Sequence, residues 1–194
     1  MNVAIYIYEN AEVLDFSGPF EVFSTANRFI PPKSAFNVFL IAQNLEPVLA
    51  RGAYSVNPHF DFDEHPDIDV LIVVGGIHTG ELEKTEVLEW IAATSQKASL
   101  VASVCTGAFI LAEAGVLKEL KVTTHWEDIQ ALREDYPLLT VIENTRWVDE
   151  GKFVTSGGIS AGIDMSLHLV ARLLSASTAE QTAKQMEFDW RKNG

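Results

Sequence analysis

The apolar residues of this chain fall into short continuous runs separated by stretches of helical spacing. Val3 to Tyr8, Phe36 to Ile41, Asp69 to Val74 and Leu100 to Val104 are dominated by β-branched, aromatic and aliphatic residues. Runs of that length and composition are the signature of strands covered on both faces. Val3 to Tyr8 reads as a first, central strand. Between the runs, Gly18 as N-cap, Pro19 at the first helical position and Glu21 at the third open a helix, which leaves Asp15 in a strand-to-helix loop. Leu82, Val87, Leu88, Ile91 and Ala92 fit one face of an amphipathic helix over Glu81 to Lys97. Ala108 to Ala114 forms a further helix, stopped by Gly115.

The remaining segments are shorter. Pro47 to Ala50 and Tyr54 to Val56 flank Arg51-Gly52-Ala53 as a small hairpin. Lys121 to Thr124 is a strand, and Trp126 to Arg133 a helix that ends before Tyr136-Pro137. Thr140 to Ile142, Thr145 to Val148 and Lys152 to Thr155 are strands, the last two joined by an Asp149-Glu150-Gly151 turn. Ser160 is the expected N-cap of a helix from Ala161 to about Leu174, and Ser177 opens a last helix running to near Trp190. The alternation predicts an α/β fold: a mostly parallel, flavodoxin-like sheet with helices on both faces. Without repeats or a linker, residues 1–194 are expected to form a single domain.

Such sheets bind ligands at the carboxyl ends of their strands. Asp15, Gly75-Gly76 and Cys105 all fall at such ends. Cys105, the only cysteine, sits on the turn between its strand and the following helix, with Ser103 two residues before and Gly107 two after. Small residues at those positions allow the sharp bend of a nucleophile elbow. A helix N-terminus directly after the sulfur favours thiolate over thiol. Gly75, Gly76 and the N–H of Thr106 are candidate donors of an oxyanion hole, unless the glycines only end a strand in a tight turn. Asp15 either hydrogen-bonds the thiol and serves as acid or base, or merely caps the helix that follows it. His125 is a secondary candidate near the sulfur. Asp164 suits the first turn of its helix, and His168 shares its face without completing a metal site. His59, His65 and His78 lie in polar surroundings and are expected at the surface.

Charge narrows the partners. Fourteen Lys and Arg against 27 Asp and Glu give a net charge of −13, which argues against nucleic acid and against an anionic membrane surface. The N-terminus lacks the basic, apolar and small-residue regions of a signal peptide, and no apolar run reaches the ~20 residues of a membrane span. The expectation is a soluble, cytoplasmic protein acting on a small molecule. One cysteine excludes an intrachain disulfide, and the five histidines show no metal-ligand spacing.

Five segments together resemble the ThiJ/PfpI superfamily, with the class I glutamine-amidotransferase-like fold. They are Leu14 to Phe23, Val74-Gly75-Gly76, Ser103 to Ala108, Thr123-Thr124-His125-Trp126 and Thr155 to Asp164. Thr106 after the cysteine and an aspartate at position 15 are similar to the isocyanide hydratase branch. The resemblance implies attack of Cys105 on the terminal carbon of an isocyanide, proton management by Asp15, and release of an N-substituted formamide, with no cofactor. It also implies a pocket lined by Gly75, Gly76 and Thr106, with Ile159 close to the cysteine loop, and a homodimer. The absence of His after Cys105 weakens protease-like and deglycase-like readings, and the lack of a late His-x-Glu pair disfavours glutamine hydrolysis. AraC-type regulators carry a similar N-terminal domain, so a ligand sensor is the main alternative, although a chain ending at Gly194 leaves no room for their DNA-binding region. A thiol stress sensor is another.

Overall fold

The structure, a computed structural model, describes residues 1–34 and 36–193; Gly194, where the sequence ends, lies outside them. Its strands are β1 (Asn2–Tyr6), β2 (Asn37–Ile41), β3 (Val48–Ala50), β4 (Tyr54–Val56), β5 (Val70–Val73), β6 (Leu100–Val104), β7 (Lys121–Val122), β8 (Thr140–Val141), β9 (Trp147–Glu150) and β10 (Phe153–Ser156). Six form the main sheet in the order β2-β1-β5-β6-β10-β9. All its pairings are parallel except that of β9 with β10. The β3–β4 hairpin and the β7–β8 pair are separate appendages.

The helices are α1 (Val13–Ala26), α2 (Thr85–Lys97), α3 (Gly107–Glu113), α4 (Ile129–Asp135), α5 (Ala161–Leu173) and α6 (Ala176–Gln185). Helices α1, α5 and α6 pack together as one layer, while α2 packs with α3 in another. This follows from right-handed crossovers: the chain moves one way from β1 to β2 and the other way from β5 through β6, so the connecting helices fall on opposite faces. The reversal leaves a crevice beyond the carboxyl ends of β1 and β5. That is the topological switch point of this strand order.

The central pair of the sheet is β5 and β6, with β1 one place nearer the edge. α1 begins at Val13, not at Gly18, and Pro19 lies inside it. Tertiary contacts override the local start signal. The Glu12 N–H donates to the Gly75 carbonyl at 2.9 Å, fixing the first turn against the end of β5. Gly18 is a contact point between helices, since a Cβ there would lie 3.0 Å from Cγ1 of Ile163 on α5. Ser160 does precede α5, but its side chain does not cap the helix and instead accepts from Arg146 at 3.3 Å. Ser175, not Ser177, caps α6, accepting from the Thr178 N–H at 3.1 Å.

α6 ends at Gln185 in a turn where Glu187 takes a φ of +50° and the Phe188 N–H donates to the Ala183 carbonyl at 3.0 Å, and the tail then runs to Asp164. Fully buried in α5, this carboxylate accepts from Arg146 Nε at 2.8 Å and from the Arg191 N–H at 2.8 Å. The Asp164 carbonyl takes Trp190 Nε1 at 3.2 Å. Asp164 is therefore structural, joining α5, the segment before β9 and the C-terminal tail. Asp164→Ala strands the Arg146 guanidinium and lowers the unfolding free energy by roughly 3–5 kcal/mol. Urea titration measures this, with the exposed Glu134→Ala as a control expected within about 0.5 kcal/mol of wild type.

Candidate active site

Cys105 joins β6 to α3 with φ of +56°, a left-handed conformation that a non-glycine residue adopts only when its surroundings enforce it. The enforcement is visible. The Cys105 N–H donates to the carbonyls of Ser156 and Gly157 at 3.2 and 3.3 Å, and its carbonyl accepts from Thr124 Oγ1 at 2.9 Å. Two glycines make the bend possible. A Cβ on Gly107 would strike the Val73 carbonyl oxygen, and one on Gly75 would lie 2.7 Å from Cβ of Cys105. The strand–cysteine–helix elbow is thus formed where the sequence places it.

Asp15 sits in the first turn of α1 rather than in a loop, and its side chain is fully buried. Oδ2 accepts from the Gly75 N–H and Oδ1 from the Ile159 N–H, both at 3.1 Å. The carboxyl also shares a hydrogen bond with Cys105. Burial pushes it up to about 7; the Gly75 and Ile159 N–H groups pull the other way but do not prevail, and Glu12 adds to the rise. Burial likewise pushes the Cys105 thiol above its ordinary value, and the nearby Asp15 raises it further against the Thr106 N–H. The helix terminus therefore does not set the state of this sulfur, contrary to the sequence expectation. Withdrawal from water outweighs the partial charge of the seven-residue α3. The proton resides on the Cys105–Asp15 pair.

The predicted anion pocket is differently arranged. The Gly75 N–H is taken by Asp15, and the Gly76 N–H donates to Thr106 Oγ1 at 3.0 Å. Thr106 Oγ1 donates in turn to the Gly76 carbonyl at 3.1 Å. Of the three expected donors, only the Thr106 N–H faces the sulfur. Both glycines are nevertheless required by crowding: Gly76 has φ of +143°, and a Cβ on it would collide with the Asn10 carbonyl.

Ile159 precedes α5 with φ of +56°, holding its N–H on Asp15. His125 lies against Gly158, where a Cβ would collide with the imidazole and lie 3.2 Å from the Cys105 sulfur. Its Nδ1 takes the Glu127 N–H at 3.4 Å and lies 3.5 Å from Asp128 Oδ2. It forms a wall of the site, with its ring nitrogen turned to the acidic turn. Thr124 and Gly158 are the residues sequence reasoning did not single out, although both lie in the segments it quoted. Of the three histidines expected at the surface only His59 is exposed; His65 accepts from Trp90 Nε1 at 3.3 Å and His78 packs on Phe109 with ring centroids 4.6 Å apart. His168 pairs with Asp149 at 2.6 Å, away from the cysteine. Among the described residues no group of three His, Cys, Asp or Glu converges as a metal site, and no helix is long and apolar enough to cross a membrane. A cleft of about 300 Å³ stands over Cys105, bordered by Glu12, Arg51, Gly76, Thr106, His125 and Ile159.

The raised Asp15 value has a thermodynamic consequence. Between its ordinary value of 3.8 and about 7 the folded protein holds a proton that the unfolded chain has lost. Stability from this group therefore falls as pH rises through that window, by up to about 4 kcal/mol. The difference in unfolding free energy between wild type and Asp15→Asn, measured in urea at pH 4 and pH 8, is expected to move by that amount. A difference independent of pH would show that the carboxyl titrates normally.

Residues 1–172 match the DJ-1/PfpI family. Isonitrile hydratase of Pseudomonas putida is 32% identical over 190 residues, covering 97% of this chain and 78% of that protein. The HTH-type transcriptional regulator CdhR of Pseudomonas aeruginosa is 31% identical over 173 residues, 89% of this chain; the chain spans about half of the regulator's length, 51%. Among solved structures, a ThiJ/PfpI family protein from Pseudomonas syringae superposes with a TM-score of 0.86 at 28% identity, over 98% of this chain and 76% of that one. Drosophila melanogaster DJ-1beta does so at 0.83 and 17% identity, over 97% and 98% of the two chains, a likeness of fold alone. The elbow cysteine, the parallel sheet that carries it and the match over most of the sequence together establish that this chain belongs to the DJ-1/PfpI family.

Proposed function

We propose that the protein is a cofactor-independent hydratase that converts isocyanides to N-substituted formamides through a thioimidate on Cys105. The observation that carries this reading is the pairing of a buried thiol with a buried carboxyl while the neighbouring glycine N–H groups are already bonded. Acyl transfer builds negative charge on an oxygen and depends on free donors aimed at it. Addition to an isocyanide builds charge on carbon, which needs a proton instead. Asp15 is a group suited to supply one at neutral pH. The 32% identity to an isonitrile hydratase supports the same chemistry.

In the first step Asp15 takes the thiol proton and the sulfur electron pair forms the C–S bond to the terminal carbon. The proton returns from Asp15 to that carbon, giving R–N=CH–S–Cys105. Water then adds across the C=N bond, its oxygen to carbon and one hydrogen to nitrogen. The C–S bond breaks with its electrons returning to sulfur, the hydroxyl proton passes by Asp15 to the thiolate, and R–NH–CHO leaves. The Gly75 and Ile159 N–H groups orient Asp15, and the Thr106 N–H steadies the sulfur. A reactive thiol of this kind suits the reducing cytoplasm. The exposed Leu49, Tyr54 and Ile77 support a homodimer as the working form.

A second reading, a ligand sensor, draws on the 31% identity to CdhR. The two readings part on consumption. A sensor returns its ligand unchanged, whereas the hydratase yields one formamide per isocyanide, detectable by chromatography.

Cys105→Ala is expected to abolish formamide production and the mass adduct that brief isocyanide exposure leaves on the wild-type protein. Asp15→Asn lowers kcat/KM about 10²- to 10⁴-fold. Because protonated Asp15 cannot accept the thiol proton, wild-type kcat/KM climbs with pH and levels near 7. Full turnover by Cys105→Ala, or no formamide from any aryl or alkyl isocyanide, sinks the hydratase reading.

A further inference from the structure

Trp126 is 77% exposed, in a fold whose Trp147 is 4% exposed. Its indole lines a cavity of about 830 Å³. The cavity adjoins the reaction cleft. His125 and Ile159 border both spaces, and Gly158, where a Cβ would lie 3.2 Å from the Cys105 sulfur, lines the larger one. The smaller cleft, about 300 Å³ with polar borders, has room for a reacting terminus and little apolar surface for anything attached to it. Exposed apolar surface is instead concentrated on Trp126, with the 40% exposed Ile159 on the border between the two spaces.

We infer that the cavity beside Trp126 is the subsite for the substituent of the Cys105 substrate, and that it takes a flat aromatic group stacked on the indole. This rests on the hydratase reading for the identity of the reacting end. An isocyanide is linear through its C, N and first substituent atom, so a molecule with its carbon at the sulfur must carry the rest outward, past the His125 and Ile159 wall. An aromatic ring gains more from an exposed indole than a small alkyl group does, both in buried area and in ring–ring attraction. The tilt of 39° between the His125 and Trp126 rings, with centroids 5.8 Å apart, leaves the indole unstacked by its neighbour.

The test compares phenyl with methyl isocyanide in wild type, Trp126→Ala and Trp126→Phe. The wild-type preference for phenyl in kcat/KM falls about tenfold in Trp126→Ala and is largely kept in Trp126→Phe. An unchanged preference in Trp126→Ala overturns the subsite while leaving the hydratase reading intact. A parallel arm does not depend on turnover: calorimetric binding of N-phenylformamide and N-methylformamide to the same three proteins, with the same loss of aryl preference expected. If no isocyanide is consumed but this binding preference holds and depends on Trp126, the subsite stands and the reaction assignment fails. Failure of N-phenylformamide to bind wild type overturns the subsite. So does a Trp126→Ala variant that breaks up an oligomer in sedimentation and depresses both substrates equally, since a second copy of the chain then covers the indole.

Discussion

The site depends on keeping one carboxyl out of water. Asp15 is fully buried, and what makes that tolerable is a pair of backbone N–H donors contributed by segments far apart in the chain, Gly75 after β5 and Ile159 before α5. Two hydrogen bonds compensate only part of the lost hydration of a charged carboxylate. The remainder is expressed as a proton held up to about 7, where an exposed aspartate would have lost it. The same bonds tie the start of α1 to two loops at the carboxyl edge of the sheet. Burial sets the proton affinity and the two bonds set the position, and because both loops also touch Cys105, a change in either reaches the carboxyl and the thiol together.

Crowding supplies the other half of the arrangement. Gly75, Gly107 and Gly158 lack side chains where the elbow, the end of β5 and the His125 ring approach one another. Cys105 and Ile159 both carry positive φ, and both direct a functional group inward, the thiol in one case and the Asp15-bound N–H in the other. Two strained residues within one small site cost on the order of 1–3 kcal/mol each. The parallel sheet underneath, with Val70 to Val74 and Leu100 to Val104 buried throughout, is rigid enough to hold them.

Much of this was legible in the sequence, and the failures have physical reasons. Buried strands announce themselves because both faces need apolar residues: β6 falls on Leu100–Val104 as read. The elbow was visible because its small residues obey a steric rule that operates within a few positions. The start of α1 was not, because Gly18 and Pro19 mimic a cap that matters only locally, whereas the true start is fixed by a bond from Glu12 to Gly75. Direction is harder still. Sequence reasoning brought Gly75, Gly76, Asp15 and Cys105 to one edge, yet it could not say that the glycine N–H groups would turn to Asp15 and to the Thr106 hydroxyl. Exposure of Trp126 was equally hidden, since a tryptophan's neighbours in space are not its neighbours in sequence.

Where those two N–H groups point decides more than detail. A fold with an elbow cysteine serves many chemistries, and the distinction lies in what surrounds the sulfur. If the Gly75 and Gly76 N–H groups faced the cleft, the site would favour reactions whose charge develops on oxygen. With Gly75 committed to Asp15, its N–H holds a carboxyl in place instead of facing the cleft, and with Gly76 committed to Thr106, the turn is locked in that state. The site thus offers a buried carboxyl beside the sulfur where free backbone donors would otherwise stand. That exchange is the physical basis on which we propose addition chemistry, rather than acyl transfer, for this cysteine.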